Sequence, residues 1–150
     1  MIRDSAIKTE IQEDWNGVRK FQSSIQVNLN ASSGVIGVGA TNKLRNISHN
    51  LTLLFAFSVL EAVLKQLRDE GKFSERSNGL KKLMNSSTNG LFWIDFNLVD
   101  EAREERNKVA HEQKTLERGD CWKYIDAIEK ELMSWNIVVN PHVFTHQRKI

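Results

Sequence analysis

In the stretch "EAREERNKVAHEQK", residues 101–114, an arginine, an amide and a histidine fall within two helical turns: Arg106, Asn107 and His111. Histidine titrates near neutrality and serves as acid or base. Arginine keeps its charge and offers a planar fork to phosphate or carboxylate oxygens. Arg106 has Ala102, Arg103, Val109 and Ala110 three and four residues away, so no carboxylate on its own helix reaches it. His111 has Asn107 and Lys108 behind it and Lys114 ahead. Apart from Asp100 beside Arg103, this strip of cations, amide and histidine lacks partners on the same helix, and such a strip suits an external anion. The competing reading is a solvated face whose charges are met by water or by acids on another helix.

Helical geometry decides which residues share a face. At about 100° per residue, Leu98, Ala102, Val109 and Leu116 form one apolar stripe that faces the core. Glu101, Glu104, Lys108 and Glu112 lie opposite, with favourable pairs four apart. Arg103, Arg106, Asn107, His111 and Lys114 lie between, and Arg106 and His111 are roughly 140° apart. One chain therefore brings them to a single phosphate with difficulty, whereas two copies related by a two-fold axis can combine the arginine of one with the histidine of the other.

The elements that carry this strip are helical. Ile7, Ile11, Trp15 and Val18 predict an N-terminal helix over about 4–22. Ile25, Val27 and Leu29 then alternate with polar residues, a short strand period, and a Gly-rich loop over 31–42 follows. The segment from Leu44 to Glu70 is apolar nearly all round and predicts the central buried helix, with Gly71 just past its end. A short helix about Leu80, Leu83 and Met84 comes next. Asn97 with Asp100 predicts the cap of the motif helix, and Asp120 the cap of a last helix carrying Cys121, Ile125, Ile128, Leu132 and Trp135. A short extended piece is expected at 137–139. The fold class is all-α, a bundle of four to five helices within one domain over 1–150, its core at about 44–136 and the first helix and Gly-rich loop appended.

"RNKVAH" resembles the signature of the HEPN superfamily, in which an arginine, commonly followed by a polar residue, precedes a histidine by a few positions. A long apolar helix with a Leu-Glu pair, Leu60-Glu61, precedes the motif in the manner of that superfamily. The resemblance implies a homodimer in which two motif helices form one composite cleft, and a metal-independent endoribonuclease that cuts RNA through its own 2′-hydroxyl. Arg106, Asn107 and His111 are then catalytic, Arg103 and Lys114 bind substrate, and Glu61 supports the site through a salt bridge to Arg103 or Arg106. A toxin or phage-defence effector with an antitoxin or sensor partner is implied; the alternative within the superfamily is an inactive module that binds a nucleotide or a protein. Gln113 stands where some HEPN toxins carry a tyrosine that is the target of modification, so control by that route is not expected.

The remaining signals narrow the classes. Composition is ordinary for a soluble domain, with 40% hydrophobic and 27% charged residues, and a net charge of +2 gives no global basic field. The single cysteine, Cys121, excludes an internal disulfide and fits a reducing cytoplasm, with the thiol packed as a small hydrophobe. The N-terminus has no apolar leader, and the run "LTLLFAFSVLEAVL" is short for a membrane span and contains Glu61. "GVIGVGAT" has phosphate-loop glycine spacing but Ala40 in place of the lysine, so it reads as a loop. His142 and His146 are two ligands and make no metal site, and no cofactor is expected. His49 reads as a hydrogen-bonded structural residue, and the four tryptophans as core or dimer contacts.

Overall fold

The row Trp15, Val18, Gln22, Ile25 continues at helical spacing well past the expected end of the first helix, and all four side chains are buried. The computed structural model of the chain, which describes residues 1–112 and 114–139 but not the side chains of 26–36, 38, 40 and 41, accordingly makes α1 run from Ser5 to Ile36. The strand expected at 25–29 is helix, because burial of Ile25 on the face of Trp15 and Val18 outweighs the local alternation. The Gly-rich segment is likewise no loop. Gly37 alone breaks the helix, at a φ of 87° that a side chain disfavours, and α2 runs from Val38 to Asp69.

α1 and α2 are each 32 residues, about 48 Å long, and fold back on one another about Gly37. Their far ends are tied: the Arg3 amide donates to Glu70 Oε1 at 2.8 Å and the Arg3 guanidinium to the Glu70 carbonyl at 2.7 Å. Gly71, at φ 86°, ends α2 as expected; its amide donates to the Arg68 carbonyl and that of Lys72 to the Leu67 carbonyl.

α3 (Leu80–Ser87), α4 (Phe96–His111) and α5 (Arg118–Ser134) complete an all-α bundle with no strand among the described residues, so residues 137–139 form no extended element. Leu53, Phe57, Leu60, Leu64 and Leu67 of α2 are at most 1% exposed and meet Ile125, Ile128 and Leu132 of α5. Ile11, Trp15 and Val18 belong to this same core, so α1 is part of the bundle rather than an appendage. A buried polar cluster fixes it there. Trp15 Nε1 donates to Glu129 Oε2 at 2.8 Å, Arg19 Nε to the same oxygen at 2.7 Å, and Arg19 Nη2 pairs with Asp126. Burial alone would lower the Arg19 pKa; the hydrogen bond and charge of Glu129, joined by Asp126, reverse this and raise it.

Candidate functional site

α4 starts at Asp95, whose side chain accepts from the Leu98 amide, and not at the expected Asn97-Asp100 pair. Glu131 of α5 settles the register: it accepts from the Ile94 amide at 2.7 Å and the Asp95 amide at 2.9 Å. Two preceding amides thus consume one buried carboxylate, and the chain enters the helix earlier than its local capping residues suggest. α5 begins after Glu117, with no side-chain cap, and Asp120 lies in its first turn, where a negative charge is favourable.

The other end of α4 is set by Asn50. Its Nδ2 donates to the Leu116 carbonyl and its Oδ1 accepts from the Leu116 amide, both at 2.9 Å. This two-point grip draws the connection onto α2 and buries Leu116, which lies beyond the helix, and α4 stops at His111. In the sequence Asn50 begins an Asn-x-Thr glycosylation pattern with Leu51 and Thr52, and no other motif marks it. The available signal was a polar amide inside an apolar helix, which needs partners when buried. Glu131 gave the same kind of signal on the apolar side of α5.

The face that α4 buries is rotated from the expected stripe. Val99 and Ala102 are fully buried and Arg103 is 6% exposed, while Leu98 and Val109 are half-buried. Arg106 is half-buried and turned toward α2, its guanidinium carbon 5.7 Å from the centroid of the Phe57 ring. Nη1 donates to Asn107 Oδ1 at 2.9 Å, and the buried Nε has no hydrogen-bond partner. His111, the last residue of α4, is exposed. The arginine is therefore placed and partly desolvated, and the histidine is open to solvent one turn further on.

The proposed auxiliary cations are neutralised locally. Arg103 Nε meets Asp100 Oδ1 at 2.9 Å and Nη2 meets Glu104 Oε1 at 3.6 Å. Lys114 Nζ lies 3.5 Å from Glu105 Oε2, and Lys108 lies 3.1 Å from Oε1 of the same carboxylate. The Lys108 hydrogen bond, with the charges of Lys108 and Lys114, holds the Glu105 carboxyl below its ordinary range against the effect of burial. Glu105 stands nine residues before Lys114, too far for a helical pair, and the two meet because α4 ends at His111. Glu61 pairs with Lys65 at 3.2 Å on its own helix and not with Arg103 or Arg106, because it sits at the partly exposed edge of α2.

His49 is buried, as expected, but neither ring nitrogen has a hydrogen-bond partner. Burial, then the charges of Arg118 and Arg45, lower its pKa to about 4. Trp15 and Trp135 are core residues; Trp93 packs edge-on against Trp135 and Phe96 at 4.8 and 5.2 Å. Cys121 is a free, buried thiol whose pKa burial pushes up to about 12. His142 and His146 lie outside the described residues. Among the described residues no group of three or more His, Cys, Asp or Glu side chains is arranged to hold a metal ion. The segment Asn42–Asp69 is long and apolar enough to cross a membrane by length and composition, although its apolar run looks short in the sequence, and 56% of its most apolar window is buried inside the bundle.

No protein-family model matches the chain, and no curated protein or solved structure matches it significantly.

Proposed function

We propose that this chain is an endoribonuclease of HEPN type, acting in the cytoplasm as a toxin or phage-defence effector. The observation that carries the reading is Arg106. A guanidinium stacked on Phe57, bonded to Asn107 and left with a buried, unpartnered Nε is a cation held ready for an acceptor, five residues before an exposed histidine.

In the proposed reaction, His111 takes the proton of a ribose 2′-hydroxyl and O2′ attacks the adjacent phosphorus. The bond from phosphorus to O5′ breaks, O5′ takes up a proton, and a 2′,3′-cyclic phosphate is left. The nucleophile belongs to the substrate, so the route needs no metal-bound water, and we take it to be metal-independent. Arg106 offsets the extra negative charge on the pentavalent phosphorane, and Asn107 orients it. Because Arg106 turns inward and His111 outward, the complete site is assigned to a homodimer with its two-fold axis near α4.

Local neutralisation of Arg103 and Lys114 favours a second reading, an inactive HEPN module that binds a nucleotide or a protein partner. Total RNA from cells expressing wild type or His111→Ala, together with purified protein and RNA in EDTA, separates the two. The nuclease reading expects cut RNA with mapped cyclic-phosphate ends for wild type only. Intact RNA in both settings, with equal growth of the two strains, sinks it.

A further inference from the structure

α2 carries no Asp, Glu, Lys or Arg from Asn46 to Leu60, although only part of its circumference is covered by the bundle. On the uncovered side, Leu44, Ile47, Leu51 and Phe55 follow at spacings of three, four and four and are 42%, 47%, 56% and 48% exposed. Phe21 of α1, 51% exposed, stands beside them. Between the two helices lies an apolar groove of about 330 Å³, lined by Gly17, Val18, Phe21, Leu51, Thr52 and Phe55, with open space above Gly17.

The dimensions suit one kind of occupant. At about 200 Å² for a large side chain, five at about half exposure present on the order of 500 Å² of apolar surface, at the upper end of what a monomer leaves uncovered. Protein interfaces are about 60% apolar, so this patch corresponds to about 800 Å² per partner, the standard size of a stable interface. From Asn46 to Leu60 the face has no charge with which to select a charged partner. It does have a ridge, Leu51 and Phe55, next to a groove, and a ridge beside a groove is complementary to itself under a two-fold rotation. A bilayer fits less well. An interfacial helix sets a Lys- and Arg-rich face beside its apolar one, whereas the rim here mixes signs, with Glu13 and Asp14 beside Lys20 on α1 and Lys43 and Arg45 flanking Leu44 on α2.

We infer that the α1–α2 face is an interface between two copies of this chain. Phe57, which carries Arg106, points about 120° round α2 from Leu51, so this contact is separate from the α4 contact of the proposed active site and does not rest on the nuclease reading. Where both form, the assembly is larger than a dimer.

Light scattering at micromolar concentration tests it. Wild type should have at least twice the chain mass, and the Leu51→Lys/Phe55→Lys double variant half the wild-type mass. Phe21→Lys, on the other helix, should weaken association in the same direction, with far-UV circular dichroism confirming that each variant keeps its helices. Arg106→Ala and His111→Ala, which leave this face intact, should keep the mass step caused by the double variant even if RNA is never cut. A monomeric wild type, a double variant of unchanged mass, or wild type that sediments with phosphatidylcholine–phosphatidylserine vesicles as a monomer would each overturn the inference.

Discussion

Arg106 lays its guanidinium over Phe57, 5.7 Å from the ring centroid, and so ties the second half of α4 to the buried heart of α2. Phe57 is fully buried, which fixes the ring in one place and makes it a rigid platform for the cation. Phe57→Leu should keep the fold, cost about 1–3 kcal/mol in urea unfolding through lost packing and the lost cation–π contact, and reduce RNA cleavage. The reduction should be smaller than that of Arg106→Ala, because the charge remains but its orientation loosens. Unchanged cleavage in a folded Phe57→Leu protein would remove the platform from the mechanism.

On the proposed nuclease reading, Arg106, Asn107 and His111 should fail in different ways. His111→Ala should lose about 10²–10⁴-fold in cleavage rate, as for an acid–base group, with RNA affinity nearly unchanged. Arg106→Ala should lose about 10²–10³-fold, bind RNA more weakly and show a flatter salt dependence, since a phosphate contact is gone. Asn107→Ala should fall between wild type and these two. Partial recovery on mixing Arg106→Ala with His111→Ala subunits would support a site shared across the dimer axis. Full activity in either single variant would take that residue out of the site.

Asn50 holds Leu116 by two hydrogen bonds and thereby sets where α4 ends and where His111 sits. Asn50→Ala strands a buried amide and carbonyl and should cost roughly 1–3 kcal/mol. Hydrogen exchange should rise at residues 112–117 before it rises in α2. Uniform exchange across both would mean that the clamp does not act on the connection.

What was legible in the sequence was the periodicity. Leu53 to Leu67 gave α2 as the central helix, Gly71 its end and Cys121 to Leu132 the last helix, because each rests on spacing along one element. Ile25 and Lys114 mislead for one reason, since what each meets is set by packing or by chain beyond its own helix, whereas Glu61 and Arg103 close pairs within their own helices, with Lys65 and with Asp100 and Glu104. Ile25 looks like a strand residue until Trp15 and Val18 place it on a buried face, and Lys114, beyond the end of α4, looks unpaired until it is found beside Glu105. The caps moved for the same reason, since Glu131 and Asn50 reach in from other helices. That Arg106 rests on Phe57 was not legible, because the contact is made across two helices.

Glu129 should be the costliest single polar residue to remove. Its carboxylate takes hydrogen bonds from Trp15 and from the 3%-exposed Arg19, joining α5 to α1. Glu129→Ala leaves a buried guanidinium whose one remaining carboxylate is the half-exposed Asp126, beside the neutral Gln22 amide oxygen, and should destabilise the protein by about 3–5 kcal/mol. Asp126→Ala should cost far less, because its side chain is 48% exposed. Denaturant unfolding ranks the two, and equal losses would show that the buried partner is not the one that matters.

His49 gives stability a pH dependence with a definite sign. In the native chain burial, Arg118 and Arg45 hold its pKa at about 4, against an ordinary value of 6.5. Between these values the unfolded chain binds a proton that the native chain refuses, so stability is full above about pH 6.5 and falls as pH drops toward 4. At about 1.4 kcal/mol for each pH step of one between those values, the loss is on the order of 2–3 kcal/mol by pH 4. Carboxylates such as Glu75, which the Ser86 hydroxyl holds below its ordinary range, lose their contribution only at still lower pH, below about 4.5. His49→Met, of similar volume and without a titrating group, should therefore flatten the curve between pH 6.5 and 4.5 and leave the acid limb below it. Urea midpoints at half-unit pH steps measure this, and an unchanged slope in His49→Met would place the titrating group elsewhere.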